Sequence, residues 1–404
     1  MAAQKRRMIG FIGVVLVTSV LSLVPTIATG ETKTLKIGAV IQDTWPGGVD
    51  FKKYLDVVVP LFNESGGLTI GSERYNIEMI RYDTKGNAEI GRAAVERLID
   101  RDKVKFILGD ETIDAWLPLT EANKVVVIAQ TPAPSIYNPK WKYAFEGCGM
   151  QTQAPAVWGW FIENFSNMKT VSIVFPDNGI GHGEHGKVVN LAANFGQKVL
   201  VDMYYPPDTN DFSSVAAKIK KSDANFFVTG GDGTQRGTLL YKALYEAGYK
   251  GQILAYLGVR AVSWSKIIPL TMIEGLIGGT PEPFEIEPLP AQTKRFKDAY
   301  VAKYGTWDNP TAFYWLEWDE LISALKKANS LDPDQIAAVL SGGMQFDSVI
   351  GRSRMVSRPD FKNPRSVSLI NSLYMLKISS GKAELMHRIS LDDVYRFDKK
   401  FFNW

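Results

Sequence analysis

Residues 35–109 alternate between strand-like and helix-like patterns, and this alternation constrains the fold more than any other feature of the sequence. The predicted elements are, in order, a strand over 35–41, a helix ended by the glycines at 66–67, a strand over 75–82, a helix over 88–101 and a strand over 104–108. This β-α-β-α-β order is typical of a parallel sheet with helices on its faces. Ligands of such sheets bind beyond the carboxyl ends of the strands, so the loops at 43–48 and 109–112 are the first places to look for function.

A second series of the same kind begins after residue 150. Its strands are expected over 170–175, 198–205, 225–229 and 252–256, and its helices over 153–166, 184–195, 213–221 and 234–247. The segment 275–280 is expected to be a strand that returns to the first series, and helices follow over 291–304 and 311–329. From residue 346 the pattern changes to short strands, including one over 373–378.

The two series predict two α/β lobes. The chain is expected to cross between the lobes near 147–152, 279–285 and 345–356. Three such connections can act as a hinge, so that the lobes close over a ligand. The predicted division is lobe 1 at 31–150 plus 283–345 and lobe 2 at 151–282 plus 346–404.

The first 30 residues have the pattern of a secretory signal peptide. Three basic residues at 5–7 precede an apolar run over 8–24, and small residues at 28–30 follow it. The alternative is a single anchoring helix, but Gly10 and Gly13 interrupt the run and no basic flank follows it. We therefore expect cleavage after about residue 30 and export to the periplasm. No cysteine ends the segment, so we do not expect a lipid anchor.

The charge balance argues against a nucleic-acid partner. Without the three basic residues of the signal segment, 43 basic side chains face 43 acidic ones, so the basic surplus of nucleic-acid-binding proteins is missing. Cys148 is the one cysteine, so the exported chain has no internal disulfide and depends on its core for stability. We expect a soluble monomer of two domains.

The sequence contains no pattern that indicates catalysis, a cofactor or a metal. Its three histidines fall in none of the common hydrolase or metalloprotease motifs. Residues 181–186 match the Gly-x-Gly-x-x-Gly dinucleotide pattern, with Asp202 as the acid, but five residues separate the pattern from the preceding strand. His182, Glu184 and His185 could ligate a metal, yet neighbouring side chains at a helix start point in different directions, and a solvated helix start explains them.

Five short motifs within residues 35–109 resemble one known family. They are Lys36-Ile37-Gly38, Asn63-Glu64-Ser65-Gly66-Gly67-Leu68, Tyr82-Asp83-Thr84, Arg97-Leu98-Ile99-Asp100 and Val104-Lys105-Phe106-Ile107-Leu108-Gly109. Their order and spacing resemble the opening of the leucine-binding-protein-like periplasmic receptors of branched-chain-amino-acid-type ABC importers, and a fainter likeness continues to about residue 350. The resemblance implies the type I periplasmic binding fold: two doubly wound parallel-sheet lobes joined by a three-strand hinge. It also implies a small-molecule ligand and an inner-membrane permease and ATPase as partners.

The resemblance implies ligand contacts in two loops of lobe 1. The family's Gly-x-x-Ser-Ser segment, which holds a ligand carboxylate, corresponds here to residues 109–113, where Glu111 and Thr112 are candidates and Ile113 replaces the second serine. The alternative for Thr112 is a plain N-cap of the helix predicted over 112–123. The next loop resembles the second ligand segment, and there Gln130 and Thr131 can supply an amide and a hydroxyl.

In lobe 2 the sequence departs from the family at both expected ligand positions. Ile180 stands where the family has an aromatic residue that packs over the ligand. Tyr256 and Leu257 fall where amino-acid binders carry an acid for the ligand ammonium group, and no acid is present there. Asp177 or Asp232 could substitute for that acid.

Trp45 completes the predicted site. It lies in the first strand-end loop between Thr44 and Pro46, and an aromatic face there favours a flat or apolar ligand. The alternative is a tryptophan that covers the end of the sheet.

Two functions from different classes follow. The first is a receptor that delivers an amino acid, or a small aliphatic or aromatic carboxylate, to an ABC importer without chemical change. The second is a periplasmic sensor that passes ligand state to a signalling partner. Neighbouring permease and ATPase genes would favour the first, and a kinase or cyclase gene the second. An exported enzyme is a third possibility to which no motif points.

Overall fold

Two parallel sheets organise the chain in a computed structural model that describes residues 31–110, 112–130, 134–148, 150–230, 233–308, 310–312, 315–359 and 367–404. The strands are β1 Lys33–Ile41, β2 Leu68–Ile70, β3 Glu73–Asp83, β4 Phe106–Gly109, β5 Val126–Ala129, β6 Ala144–Glu146, β7 Thr170–Pro176, β8 Lys198–Tyr205, β9 Phe226–Val228, β10 Gln252–Ala255, β11 Ile277–Thr280, β12 Gln345–Ser348, β13 Gly351–Ser357, β14 Val367–Asn371, β15 Leu373–Ser379 and β16 Lys382–Ile389. The helices are α1 Pro46–Glu64, α2 Ala88–Asp100, α3 Leu117–Ala122, α4 Met150–Asn164, α5 Gly179–Asn194, α6 Ser213–Ser222, α7 Gly233–Ala247, α8 Ala261–Trp264, α9 Ala291–Tyr304, α10 Leu316–Ala328, α11 Pro333–Ser341 and α12 Leu391–Phe402.

The first sheet has the strand order β2-β3-β1-β4-β5-β6. Strand β1 pairs in parallel with β3 on one side and with β4 on the other, so the direction of winding reverses between β1 and β4. The predicted β-α-β-α-β order is confirmed. The short hairpin strand β2, antiparallel to β3, was not predicted because its three residues are too few to show a period.

The second sheet repeats this plan, with the order β16-β15-β11-β10-β9-β7-β8. Strand β7 lies between β8 and β9, both parallel to it, so the reversal falls between β7 and β9. The expectation that segment 275–280 returns to the first lobe is wrong. Strand β11 continues the second sheet beside β10 and pairs with the antiparallel β15 on its other edge.

Each sheet is buried on both faces, and this explains the continuous apolar runs in its strands. In the first sheet Ile37 and Phe106 contribute to one core cluster, while Val40 and Ile107 contribute to the cluster on the opposite face. The second sheet also has a separate core cluster on each face, because successive side chains of a strand point to opposite faces.

Three connections join the two sheets, and the predicted fold class is confirmed. The first runs between β6 and α4, and the second between β11 and α9. The third contains the small sheet β12-β13-β14, in which Met355 packs in the core of the first sheet and Val356 in that of the second. The residue limits assigned to the lobes stay a prediction.

Within the described ranges, every helix is too short or too polar to serve as a transmembrane span. The predicted signal segment, residues 1–30, lies outside those ranges.

Candidate functional site

The carboxyl ends of the two sheets meet in one polar network. Arg260, which follows β10, places Nη2 3.2 Å from Oε2 of Glu282 in the second connection. Glu282 also accepts a hydrogen bond from the Ala312 backbone, and Asp50 in the first turns of α1 accepts one from Thr311 N at 2.9 Å. Burial raises the pKa of Asp50 to about 6, and the nearby Arg260 opposes that shift. Strand ends of both lobes therefore border one region, which is where ligands of such sheets bind.

In the first lobe, the loop after β4 is organised by Asp110. The Asp110 carboxylate accepts hydrogen bonds from the Thr84 hydroxyl, from Thr112 N at 2.9 Å and from Thr112 Oγ1 at 2.6 Å. The Thr112 hydroxyl also accepts a bond from Trp116 Nε1 at 3.1 Å, and it faces α2, where a Cβ on Gly91 would collide with it. The Thr112 hydroxyl and N–H, which the resemblance assigned to a ligand carboxylate, are thus bound to a carboxylate of the protein itself.

The helix predicted over 112–123 is shorter than expected. A 3₁₀ turn over Ile113–Ala115 comes first, and α3 covers Leu117–Ala122 only. Pro118 explains the break, because it has no N–H for the preceding turn and its ring obstructs a continuous helix.

Of the other residues that the sequence analysis discussed in the loops after β4 and β5, the structure describes two. The Ile113 side chain is fully buried in the core. Gln130 is 2% exposed, and its backbone N–H donates to Gly109 O at 2.9 Å. Glu111 and Thr131 lie outside the described residues. Their roles, and that of Gln130, stay predictions.

Trp45 occupies the N-cap position of α1 and is half-buried. Its ring covers the first turn of this helix so closely that a Cβ on Gly47 would collide with it. The tryptophan therefore shields the end of α1 beside the strand ends, and this placement is compatible with both interpretations made from the sequence.

In the second lobe, the loop after β7 starts α5 five residues earlier than predicted. The side chain of Asn178 caps the helix by accepting a hydrogen bond from Gly181 N at 2.8 Å, so the glycine-rich segment is helical. Asp177 is largely exposed and contacts His182 Nε2 at 2.8 Å. Ile180 lies in the first turn, but its side chain and the whole of Asp232 are outside the described set.

Tyr256 is a core residue that reaches the strand ends. Its ring is fully buried, its hydroxyl donates to Glu184 Oε2 at 2.7 Å, and Lys187 pairs with the other oxygen of Glu184 at 2.8 Å. Burial, and then the Glu184 charge, hold the pKa of Tyr256 well above its usual value. A Cβ on Gly230 would lie 3.0 Å from the Tyr256 hydroxyl and 3.3 Å from the half-buried Leu257, so all three border the end of β9.

Sequence reasoning missed a buried acid beneath the strand ends of the first lobe. Glu317, in the first turn of α10, is fully buried, and the Gly109 backbone and the Gln130 side chain lie next to its carboxyl group. Burial raises its pKa well above the usual range, and the charges of Glu320 and Asp110 raise it further. One signal was available, because Glu317 and Glu320 interrupt the otherwise apolar helix start around Trp315 and Leu321.

Each histidine of α5 contacts an aspartate side chain. His182 contacts Asp177, His185 contacts Asp202, and both imidazoles lie against the Tyr204 ring with centroid distances of 4.3 and 4.6 Å. In the described part of the chain, no three His, Cys, Asp or Glu side chains are grouped so that they could hold a metal ion.

The class of protein follows from this geometry: two doubly wound lobes whose strand ends face a shared region. The sequence model of the family described as "Periplasmic binding protein" matches residues 34–382, and the chain belongs to this family.

Individual relatives agree with this assignment. The "Leucine-, isoleucine-, valine-, threonine-, and alanine-binding protein" of Pseudomonas aeruginosa is 24% identical over 317 residues, which cover 76% of this chain and 81% of the relative. The crystal structure of a branched chain amino acid ABC transporter periplasmic ligand-binding protein from Burkholderia xenovorans has a TM-score of 0.70 at 17% identity, covering 89% of this chain and 96% of that one. A Rhodopseudomonas palustris solute binding protein of an ABC transporter, in complex with 3,4-dihydroxy benzoic acid, has a TM-score of 0.63 at 18% identity, covering 88% and 97%. The two structures share the fold of this chain.

Proposed function

We propose that this chain is the extracytoplasmic substrate-binding receptor of an ABC importer. It captures a small organic solute, an amino acid or a small aliphatic or aromatic carboxylate, between its two lobes. The closed, loaded form then docks on an inner-membrane permease driven by its ATPase, and the solute is not altered. The observation that carries this proposal is the network of Arg260, Glu282 and Asp50, because it joins the ligand-binding edges of the two sheets.

A solute can close the lobes only if it binds the closed form more tightly than the open form. A ligand shifts the balance between open and closed forms only by the difference in its affinity for them. A solute between the two strand-end edges contacts both lobes only when they are closed, so its binding favours that form. The three connections permit this motion because few chain segments must bend.

The relatives guide the choice of solutes. The Pseudomonas protein is named for five amino acids, four of them aliphatic, and the Rhodopseudomonas structure contains an aromatic acid. Both classes therefore belong in the same screen.

The first test is a thermal-shift screen of residues 31–404 against amino acids, aliphatic acids and aromatic acids. A solute at 100 times its Kd stabilises the folded protein by about 2.7 kcal/mol, and we expect a clear rise in Tm with at least one class. We also expect the radius of gyration in X-ray scattering to decrease with that compound, and the compound to be recovered unchanged. No shift with any class would contradict the proposal.

A second test separates transport from sensing. Deletion of the gene should abolish uptake of the radiolabelled compound that gave the shift, and a plasmid copy should restore it. Normal uptake together with loss of a transcriptional response to the compound would favour the sensor.

A further inference from the structure

A groove with a volume of about 590 Å³ lies between helices α1, α9 and α10 of the first lobe. Small-molecule sites have volumes of roughly 300–1,000 Å³, so this groove is large enough for one. Its apolar lining consists of Val58, Leu61, Phe62, Phe296, Trp318 and Ile322. Among its described lining residues, none belongs to the polar network at the strand ends, so the groove is separate from the region between the lobes.

Asp319 brings an accessible carboxylate oxygen to this groove. Its Oδ2 accepts both of its hydrogen bonds, from the Tyr54 hydroxyl at 3.2 Å and from Val349 N at 3.1 Å. No described residue donates to Oδ1, and this oxygen is not enclosed by the protein, because Asp319 is half-buried and lines the groove. Burial raises the pKa of Asp319 to about 7, which shows that the carboxylate has lost much of its hydration. Such a carboxylate gains from an added hydrogen-bond donor.

The walls of the groove suit a flat ring. Phe62 is half-buried, and it meets the buried Trp318 edge to face, with ring centroids 5.5 Å apart and an interplanar angle of 88°. Phe296 contributes a third ring from α9. Aromatic rings pack favourably on one another in offset or edge-to-face contacts. A ligand ring can therefore lie against these side chains while a donor substituent reaches Asp319.

The mouth of the groove carries positive charge. Arg295 and Lys326 are exposed and line it, and neither forms an ion pair within the described part of the chain. Lys326 Nζ lies 5.0 Å from the centroid of the Phe62 ring. The charge of Asp347, which also lines the groove, is balanced by Arg352, with contacts of 2.9 and 3.2 Å to its two oxygens. An anionic group is therefore attracted to the mouth, and a cation is repelled.

We propose that this groove is a second small-molecule site, and that its ligand is a small aromatic acid with a hydroxyl group at the end opposite to the acid. The hydroxyl donates to Asp319 Oδ1, the ring packs on Phe62 and Trp318, and the acid group lies at Arg295 and Lys326. An ammonium group suits the site less well than a hydroxyl, because the two cations at the mouth repel it. The site is additional to the region between the lobes and does not depend on the proposed function.

The first experiment reports on the groove itself. Isoleucine methyl NMR of residues 31–404 follows Ile322, whose signal is the one lost in Ile322→Val. The probe is 3-(4-hydroxyphenyl)propanoate. Two matched compounds each lack one group: 3-phenylpropanoate lacks the hydroxyl, and 4-ethylphenol lacks the acid.

At about pH 8, where Asp319 is ionised, we expect the Ile322 signal to shift with a Kd about tenfold lower for the probe than for 3-phenylpropanoate, because only the probe donates to a charged oxygen. The Kd of the probe should be about threefold lower than that of 4-ethylphenol, since exposed charges contribute less. An unchanged Ile322 signal, or equal Kd values for the three compounds, would overturn this inference. The receptor function would remain intact, because a solute between the lobes raises Tm without contacting the groove.

The second experiment removes single groups of the site. Asp319→Asn presents an amide N–H₂ where Oδ1 was, so it should weaken binding of the probe about tenfold and leave 3-phenylpropanoate unchanged. Lys326→Gln should weaken both acids about threefold and leave 4-ethylphenol unchanged. Asp298→Asn is the matched control, since this exposed carboxylate of α9 lies outside the groove and its loss should change no Kd.

The isoleucine methyl signals of the second lobe show whether each variant is folded. Wild-type affinity for the probe in folded Asp319→Asn would refute the assignment. An equal loss of all three compounds in that variant would refute it as well, because it would reveal a distorted groove instead of a missing acceptor.

Discussion

At the scale of single residues, Asp319 shows how burial makes stability depend on pH. Its carboxylate accepts hydrogen bonds from the Tyr54 hydroxyl at 3.2 Å and from Val349 N at 3.1 Å, yet burial raises its pKa to about 7. In the unfolded chain an aspartate titrates near pH 3.9. Between about pH 4 and pH 7 the folded state binds more protons at this residue, so its contribution to stability is complete below this window and is lost as the pH rises through it.

Asp319→Asn should remove this loss, because the amide oxygen can accept both hydrogen bonds without ionising. We expect the free energy of unfolding of the variant, relative to wild type, to rise by up to about 1.4 kcal/mol per pH unit from pH 4 to pH 7. Urea titrations at four pH values would measure it. The control is Asp298→Asn, whose exposed carboxylate pairs with Lys294 and should give a constant difference. If the free energy of unfolding changed with pH in the same way in Asp319→Asn and wild type, Asp319 would not be the source of the pH dependence.

At the scale of elements, the Arg358 guanidinium group lies between helix α12 and the first lobe. Arg358 is 3% exposed and lies 4.8 Å from the Tyr137 ring, 5.2 Å from the Phe402 ring and 4.9 Å from the Trp404 ring. Tyr137 precedes β6 of the first sheet, whereas α12 packs on α4 in the core of the second. The stack therefore links the C-terminal helix to both lobes.

Arg358→Lys should weaken this link, because an ammonium group lacks the flat face that stacks on three rings. We expect a loss of about 1–2 kcal/mol in the free energy of unfolding, measured with urea. Arg396→Lys serves as the comparison, since Arg396 stacks on Phe397 at 4.0 Å but is half-exposed. Its loss should stay below about 1 kcal/mol. Equal losses of unfolding free energy in the two variants would show that burial of the contacts between Arg358 and the rings adds no stability.

At the scale of the whole molecule, the relation between the lobes depends on Glu282. It connects Arg260 of the second lobe to the Ala312 backbone of the first, and its side chain is only 6% exposed. Breaking one side of a buried ion pair costs about 3–5 kcal/mol, because the remaining charge is left without a partner. The pair thus favours the arrangement of lobes seen here.

Glu282→Gln should break the ion pair with Arg260, so that the lobes separate more easily. We expect the ligand-free variant to have a larger radius of gyration in X-ray scattering than wild type and a free energy of unfolding lower by about 3 kcal/mol. Asp347→Asn is the control, since the Asp347–Arg352 pair of the third connection is exposed, and removal of such a pair changes little. An unchanged radius of gyration in Glu282→Gln would show that other contacts hold the lobes.

Much of the fold could be predicted from local patterns. The buried strands of the two sheets show continuous apolar runs, and the helical pattern over 291–304 predicted α9 with the bounds it has. In the structure Pro290 precedes this helix and Gly305, at φ 79°, ends it. Helix α12 was missed, although Ser390 caps it, because the polar segment before it suggested only short strands. The site was predicted less well, since the loops after β4 and β7 were located but the partners of Thr112 and Tyr256 were not.

The sequence by itself determined the two-lobed α/β class, because periodicity and turn residues act over a few neighbouring positions. Only the tertiary structure decided that β11 stays in the second sheet, that Asp110 occupies the donors of Thr112, and that Glu317 is buried beneath the strand ends. These features depend on residues far apart in the chain, such as Gly147 and Glu317, whose contact arises when α10 packs on the first sheet. Burial and electrostatic environment are properties of that packing, so a linear pattern locates such a residue without revealing what surrounds it.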